Sequence, residues 1–210
     1  MEKNRRRRTR GIFPESQVAH RWIDPLEEAG GSGVEFGPAA HNPFGFKNCV
    51  FADREAPSEG SAYHAAQMKL ARQVVPTQVV AELGKGLPRD VFGDESFDYI
   101  VTSHVLEHVW DLLSCFEEMH RILKPGGRMV HILPHRDRMF DRDRPLTTWE
   151  ELVERHRHPE DNPNEDQHHS VFDTAQFLSV LKNIPTFRLL DHLDADDKVG
   201  NGFLVVMEKI

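Results

Sequence analysis

Thirteen histidines occur in 210 residues, and nine of them lie between His104 and His169. Imidazole titrates near neutrality, so it can take a proton from a hydroxyl or amine, or ligate a metal. His108, His120 and His131 sit where packing or a capping hydrogen bond accounts for them. His156 and His158, two apart in an acidic, proline-containing stretch, read as solvated surface. His104, His135, His168 and His169 are different. The first pair falls at the C-terminal ends of adjacent predicted strands and the second directly precedes a predicted helix, so all four are expected at one mouth as candidate catalytic bases. Metal binding is the competing chemistry: His135, Asp137, Asp141, Asp143, His168 and His169 are of ligand type, but their spacing is not diagnostic and no metal ligands are assigned. Arg136, Arg138, Arg142 and Arg144 in the same stretch could fork onto a carboxylate, phosphate or sulfate of a ligand. They could equally pair with Asp137, Asp141 and Asp143.

A second set of residues lies earlier. In Val34-Glu35-Phe36-Gly37-Pro38 a glycine directly after a buried strand lets the backbone approach a ligand closely. Glu35 inside that strand is costly unless it orients the loop or faces a cation. Asp53 follows sixteen residues after Gly37, at the end of the next strand. A carboxylate there can grip a vicinal diol in two places, as in nucleoside-binding α/β folds. Glu82-Leu83 ends a third strand, where an adenine ring would lie.

The elements that must position these residues follow from periodicity and breakers. Strands are expected at 33–36, 49–52, 78–83, 97–102 and 128–133, with helices at 61–73 and 110–123 between them. Lys124-Pro125-Gly126-Gly127 stops the second helix. Alternation of strand and helix implies parallel βαβ units. A helix at 174–182 precedes two strands, 186–190 and 203–207, joined by a loop without a helix. Those two must pair antiparallel. The polar stretch 134–173, with a helix at 148–156, leaves the end of a strand and is expected to be a lid or ligand-binding insertion, because ligands bind at strand C-termini in open α/β sheets. Residues 14–29 should form one or two helical turns interrupted at Pro25, and residues 1–10, rich in arginine, a disordered basic arm. The remainder, 11–210, reads as a single domain.

Lys plus Arg number 26 against 34 Asp plus Glu, a net charge of −8 that argues against coating nucleic acid or an anionic membrane. No apolar run approaches the ~20 residues of a membrane helix, and no signal-peptide pattern opens the chain. Cys49 and Cys115 form neither a disulfide framework nor a zinc spacing, so a reducing cytoplasm is the simplest compartment.

The run from Phe97 to Val101, then Ser103-His104-Val105-Leu106-Glu107-His108-Val109, then Arg121-Ile122-Leu123-Lys124-Pro125-Gly126-Gly127-Arg128, resembles the central signature of class I S-adenosylmethionine-dependent methyltransferases. It is most similar to their small-molecule, type 11 group. The resemblance covers roughly residues 33–133, and it implies a Rossmann-like sheet of seven strands, mostly parallel with a terminal antiparallel hairpin and helices on both faces. It implies S-adenosyl-L-methionine as cofactor, with Glu35, Gly37 and Pro38 lining the methionine end, Asp53 holding the ribose, Glu82 and Leu83 flanking the adenine, and Ser103 and His104 beneath the sulfonium and methyl. Two departures stand out. Ala39 and Ala40 occupy the places of later glycines, and only eleven residues separate Gly37 from Cys49, so the first crossover helix is shortened or lost. An Asn/Asp-Pro-Pro-aromatic box, expected after the fourth strand of enzymes acting on exocyclic amines of nucleic acid, is replaced by Ser103-His104-Val105-Leu106. Asn42-Pro43-Phe44 follows the first strand instead and reads as a tight turn. The expected reaction is methyl transfer to an oxygen or nitrogen of a small-molecule acceptor of saccharide or natural-product type. No DNA and no membrane partner is expected, and a homodimer is allowed. The alternatives are methylation of RNA or protein, with the basic arm as contact, and an inactive cofactor-binding or scaffold protein.

Overall fold

The computed structural model describes residues 15–38, 44–56, 65, 75–163 and 167–210. The basic arm, the turn at 39–43 and, apart from the helical Ala65, the helix expected at 61–73 lie outside the described residues.

Seven strands form one sheet in the order β3-β2-β1-β4-β5-β7-β6. They are β1 (Gly33–Phe36), β2 (Cys49–Asp53), β3 (Val79–Val80), β4 (Phe97–Ser103), β5 (Leu123–Pro134), β6 (Phe187–Leu193) and β7 (Gly202–Lys209). The pairs β2–β3, β1–β2, β1–β4 and β4–β5 are parallel. β7 inserts antiparallel between β5 and β6, as two strands linked without a crossover helix require. The helices are α1 (Gln17–Glu28), α2 (Leu112–Ile122), α3 (Trp149–Arg157) and α4 (Thr174–Leu181).

Period-2 alternation divides the apolar residues between the two faces of the sheet. Tyr99, Val101, Val130, Ile132, Leu204 and Val206 pack with Ala19 and Ile23 of α1 and with Phe44 and Phe46. Ile100, Met129, Phe203, Val205 and Met207 pack on the opposite side with Leu112, Phe116 and Met119 of α2 and Phe177 of α4. Gly33 is required by that first packing, since a Cβ there would lie 2.1 Å from the Tyr99 ring.

Two expectations are corrected. α1 is one continuous helix with Pro25 inside it. Ser16 caps its start, accepting from the Ala19 N–H at 3.0 Å. Pro25 is exposed, so its ring bulges towards solvent while buried Ala19 and Ile23 hold the helix on the sheet; that burial outweighs the missing hydrogen bond. The third strand is Val79–Val80 rather than 78–83. It is an edge strand with Val80 58% exposed, and little burial rewards its continuation. Within the insertion, 3-10 turns at Arg136–Arg138 and Pro159–Asp161 flank α3. The capping box of Thr148 and Glu151 starts α3, and Leu152 and Trp149 anchor it on the core.

Candidate active site

The C-terminal ends of β1, β2, β3 and β4 point one way, as parallel pairing demands. At the end of β1, Gly37 has φ +66°, and a Cβ would come within 2.5 Å of Val105 Cγ2. Only glycine allows both the left-handed backbone and this contact with the segment after β4. Glu35 is buried, and its Oε2 accepts the Phe44 N–H at 3.1 Å. Burial pushes its pKa up to about 7, against the pull of Lys198 and the Phe44 N–H. Lys198, itself buried and held below its ordinary pKa by that burial, sits 4.7 Å from the Phe44 ring centre. Glu35 thus ties the loop after β1 to its strand.

Asp53 is buried at the end of β2, with Oδ1 accepting the Arg54 N–H at 2.8 Å. Past β3, Glu82 is exposed and pairs with Lys85 at 3.1 Å, while Leu83 is buried. At the end of β4 the buried Ser103 hydroxyl has no hydrogen-bond partner among the described residues. His104 follows with φ +57°, a conformation costly for a residue with a side chain. A cavity of about 480 Å³ is lined by Arg54, Glu82, Leu83, His108, Trp110 and His169, among others.

The fold brings three of the four candidate histidines together, and the residue at their centre is Glu107. Glu107 is 1% exposed, and neither carboxylate oxygen makes a hydrogen bond among the described residues. His104 Nδ1 lies 3.5 Å and His168 Nε2 3.9 Å from its Oε1, too far or too poorly aligned for that bond. Its backbone carbonyl accepts the N–H groups of His169 and Ser170, at 2.7 and 3.1 Å, which locks the insertion onto the turn after β4. His168 Nδ1 bonds Asp141 Oδ2 at 2.5 Å, and Asp141 also pairs with Arg144 at 2.7 Å. The His169 ring meets Trp110 edge-on. His135 is turned aside: its contacts are the Asp137 N–H, the Asp194 carboxylate and the Phe203 ring.

Sequence reasoning passed over Glu107, assigned His108 to packing or capping, and weighed Asp141 only as a ligand-type residue or a partner for the arginines. The signal for Glu107 was the same one that singled out Glu35, a carboxylate in an otherwise apolar run. His156 is also not plain surface, since its Nδ1 lies 3.1 Å from the Asp111 carboxylate that caps α2. The insertion's arginines are largely engaged: Arg136 with Asp137, Arg144 with Asp141 and Arg138 with Asp194.

A family model described as a methyltransferase domain matches residues 7–183, well over half of the sequence. The chain belongs to the class I S-adenosylmethionine-dependent methyltransferases. This methyltransferase is 54% identical over 39 residues to a demethylmenaquinone methyltransferase of Staphylococcus epidermidis, 19% of this chain and 16% of that protein. It is 30% identical over 123 residues to a polyketide synthase-nonribosomal peptide synthetase of Aspergillus clavatus, 55% of this chain and 3% of that protein. The matched stretches therefore span a minor part of these relatives. Among solved structures, the CurJ carbon methyltransferase superposes with a TM-score of 0.55 at 15% identity, over 92% of this chain and 52% of that one. That likeness is one of fold, and it agrees with the sheet order of the methyltransferase described above.

Proposed function

We propose that this chain transfers the methyl group of S-adenosylmethionine to an oxygen or nitrogen of a small-molecule acceptor of saccharide or natural-product type. The observation that carries this reading is the cavity at the ends of β3 and β4, with Asp53 at the end of the neighbouring β2. The residues present suit the cofactor. Gly37 keeps the floor beside Val105 open, the Ser103 hydroxyl has a hydrogen bond to give, and Asp53 can accept from both ribose hydroxyls. Glu82 and Leu83 would flank the adenine, and Gly37, Pro38, Ser103 and His104 the methionine end, with Glu35 holding the loop that covers it. When bound, the cofactor supplies an electrophilic methyl carbon on a sulfonium.

The chain's own contribution is alignment, exclusion of water and removal of one proton. His104 or His169 takes the acceptor's proton, His168 stands at the same mouth with Nδ1 held by Asp141, and His135, directed towards Asp194, serves the insertion's structure. Phe140, 73% exposed and 4.7 Å from the His168 ring, gives the acceptor an apolar rim. Residues 11–210 act as one domain with 134–173 as its lid, working in the cytoplasm, as a monomer or homodimer, without DNA or membrane.

Calorimetry with S-adenosylmethionine and S-adenosylhomocysteine tests the first half of this reading. Micromolar binding to at least one is expected, and binding to neither overturns it. Asp53→Ala should weaken binding roughly 10- to 100-fold, the loss of charge-assisted hydrogen bonds to the diol. Unchanged affinity removes Asp53 from the ribose site. A second reading is transfer to carbon, the reaction of the CurJ carbon methyltransferase that shares this fold. An acceptor screen with labelled donor, followed by NMR of the product, separates the two, because a methyl on carbon resonates apart from one on oxygen or nitrogen.

A further inference from the structure

Glu107 poses an electrostatic problem that packing does not answer. A carboxylate with 1% exposure and two oxygens lacking hydrogen bonds among the described residues is expensive to bury. What surrounds it is nitrogen. One ligand atom each from Glu107, His108 and His168 lies within 4.8 Å of the others. Both imidazoles are set in the same tautomer. His168 Nδ1 is engaged by Asp141 Oδ2 and His108 Nδ1 by the Gln167 carbonyl at 3.1 Å. Each ring N–H is thereby directed at an oxygen, which makes Nε2 the unprotonated, ligand-type nitrogen of each neutral ring. A carboxylate behind one histidine and a backbone carbonyl behind the other are the outer partners that orient metal-bound imidazoles and raise their basicity.

We propose that Glu107, His108 and His168 bind one divalent transition-metal ion of the zinc, cobalt or manganese type. Two imidazoles are borderline donors, and with one carboxylate beside them they suit these ions better than calcium or magnesium, whose preferred shells are all oxygen. The ion neutralises Glu107. Asp141, with Arg144 against it at 2.7 Å, acts as a positioning residue for His168. Three protein ligands leave coordination positions open for water or an acceptor oxygen. His108 also lines the cavity, which places the ion at its wall. Use of the ion on an acceptor rests on the methyl-transfer reading above; its binding does not.

The test uses the full chain, stripped with a chelator and desalted, with Zn2+ and Co2+ alone as probes. Calorimetry should show one ion per chain, and Co2+ should develop the visible absorption of a nitrogen- and oxygen-ligated site. Zn2+ should raise the thermal unfolding midpoint in a concentration-dependent way. Glu107→Gln and His168→Ala should abolish the stoichiometric binding, and Asp141→Asn should weaken it about 10- to 100-fold. His108→Ala, which alters a half-buried side chain and leaves the core intact, covers the case in which the buried variants fail to fold. Absence of saturable binding in the wild-type chain, or unchanged affinity in His108→Ala, overturns the proposal. S-adenosylhomocysteine binding, measured on the same metal-free sample, reports independently on the cofactor reading.

Discussion

Two buried titrating groups, Glu35 and His131, set opposing pH dependences. His131 lies inside β5 with no exposure, its Nδ1 2.8 Å from Thr102 Oγ1, and burial holds its pKa down to about 3 against an ordinary 6.5. The unfolded chain takes up that proton below about pH 6.5 while the folded chain refuses it. Its contribution to stability is therefore complete above 6.5 and drains as pH falls towards 3. Glu35 has the other sign. Its pKa is raised from 4.5 to about 7, so the stability it contributes is present below 4.5 and lost as pH rises through 7. Thermal unfolding followed from neutrality to about pH 4 should show His131→Gln losing less stability on acidification than the wild type. Glu35→Gln, which keeps an acceptor for the Phe44 N–H, should lose more, because the opposing contribution is gone. Parallel curves for all three proteins would contradict this assignment. Glu35 was legible as an anomaly in an apolar strand. The neutral state of His131 depends on the depth at which β5 lies beneath Phe116, and local sequence carries no such information.

Secondary elements were more legible than the contacts they make. The apolar stripe of α2 and the runs of β4, β5 and β7 mark buried faces, and burial is what holds them, while the breaker after α2 marks where that helix ends. Edge and insertion elements were less legible, because their bounds depend on partners: β3 shrinks to two residues and α1 runs through Pro25. α3 illustrates the same point. Its capping box is local, but its position is set by Leu152, 1% exposed against the core. Leu152→Ala should cost about 2–4 kcal/mol of stability at that site. Hydrogen exchange should then show α3 and the segment around His168 opening together, with β4 and β5 unaffected. Uniform loss of protection across the sheet would mean that α3 is not a separately docked element.

At the scale of the whole molecule, ligand binding and folding are linked. If the cavity takes the cofactor, S-adenosylhomocysteine at about 100 times its dissociation constant should stabilise the fold by about 2.7 kcal/mol, visible as a concentration-dependent rise in the unfolding midpoint. A variant lacking residues 1–10 should show the same rise and the same salt response. A loss in the truncated chain would give the basic arm a role in binding, and would favour the RNA or protein acceptor over a small molecule. The net charge of −8 argues for the first outcome.

Family and topology were determined by the sequence alone, because both rest on local chemistry: buried strands, helix stops and the ordered run from Phe97 to Arg128. The same run carried Ser103 and His104 to the end of β4. Tertiary structure alone decided which histidines meet. His168 is sixty residues from His108 in sequence, yet the two rings lie 4.8 Å apart, while His135, one residue beyond β5, turns towards Asp194. That partition follows from the insertion folding back onto the Glu107 carbonyl. A hydrogen bond between segments so distant is set by how the chain packs, and neither periodicity nor spacing encodes it.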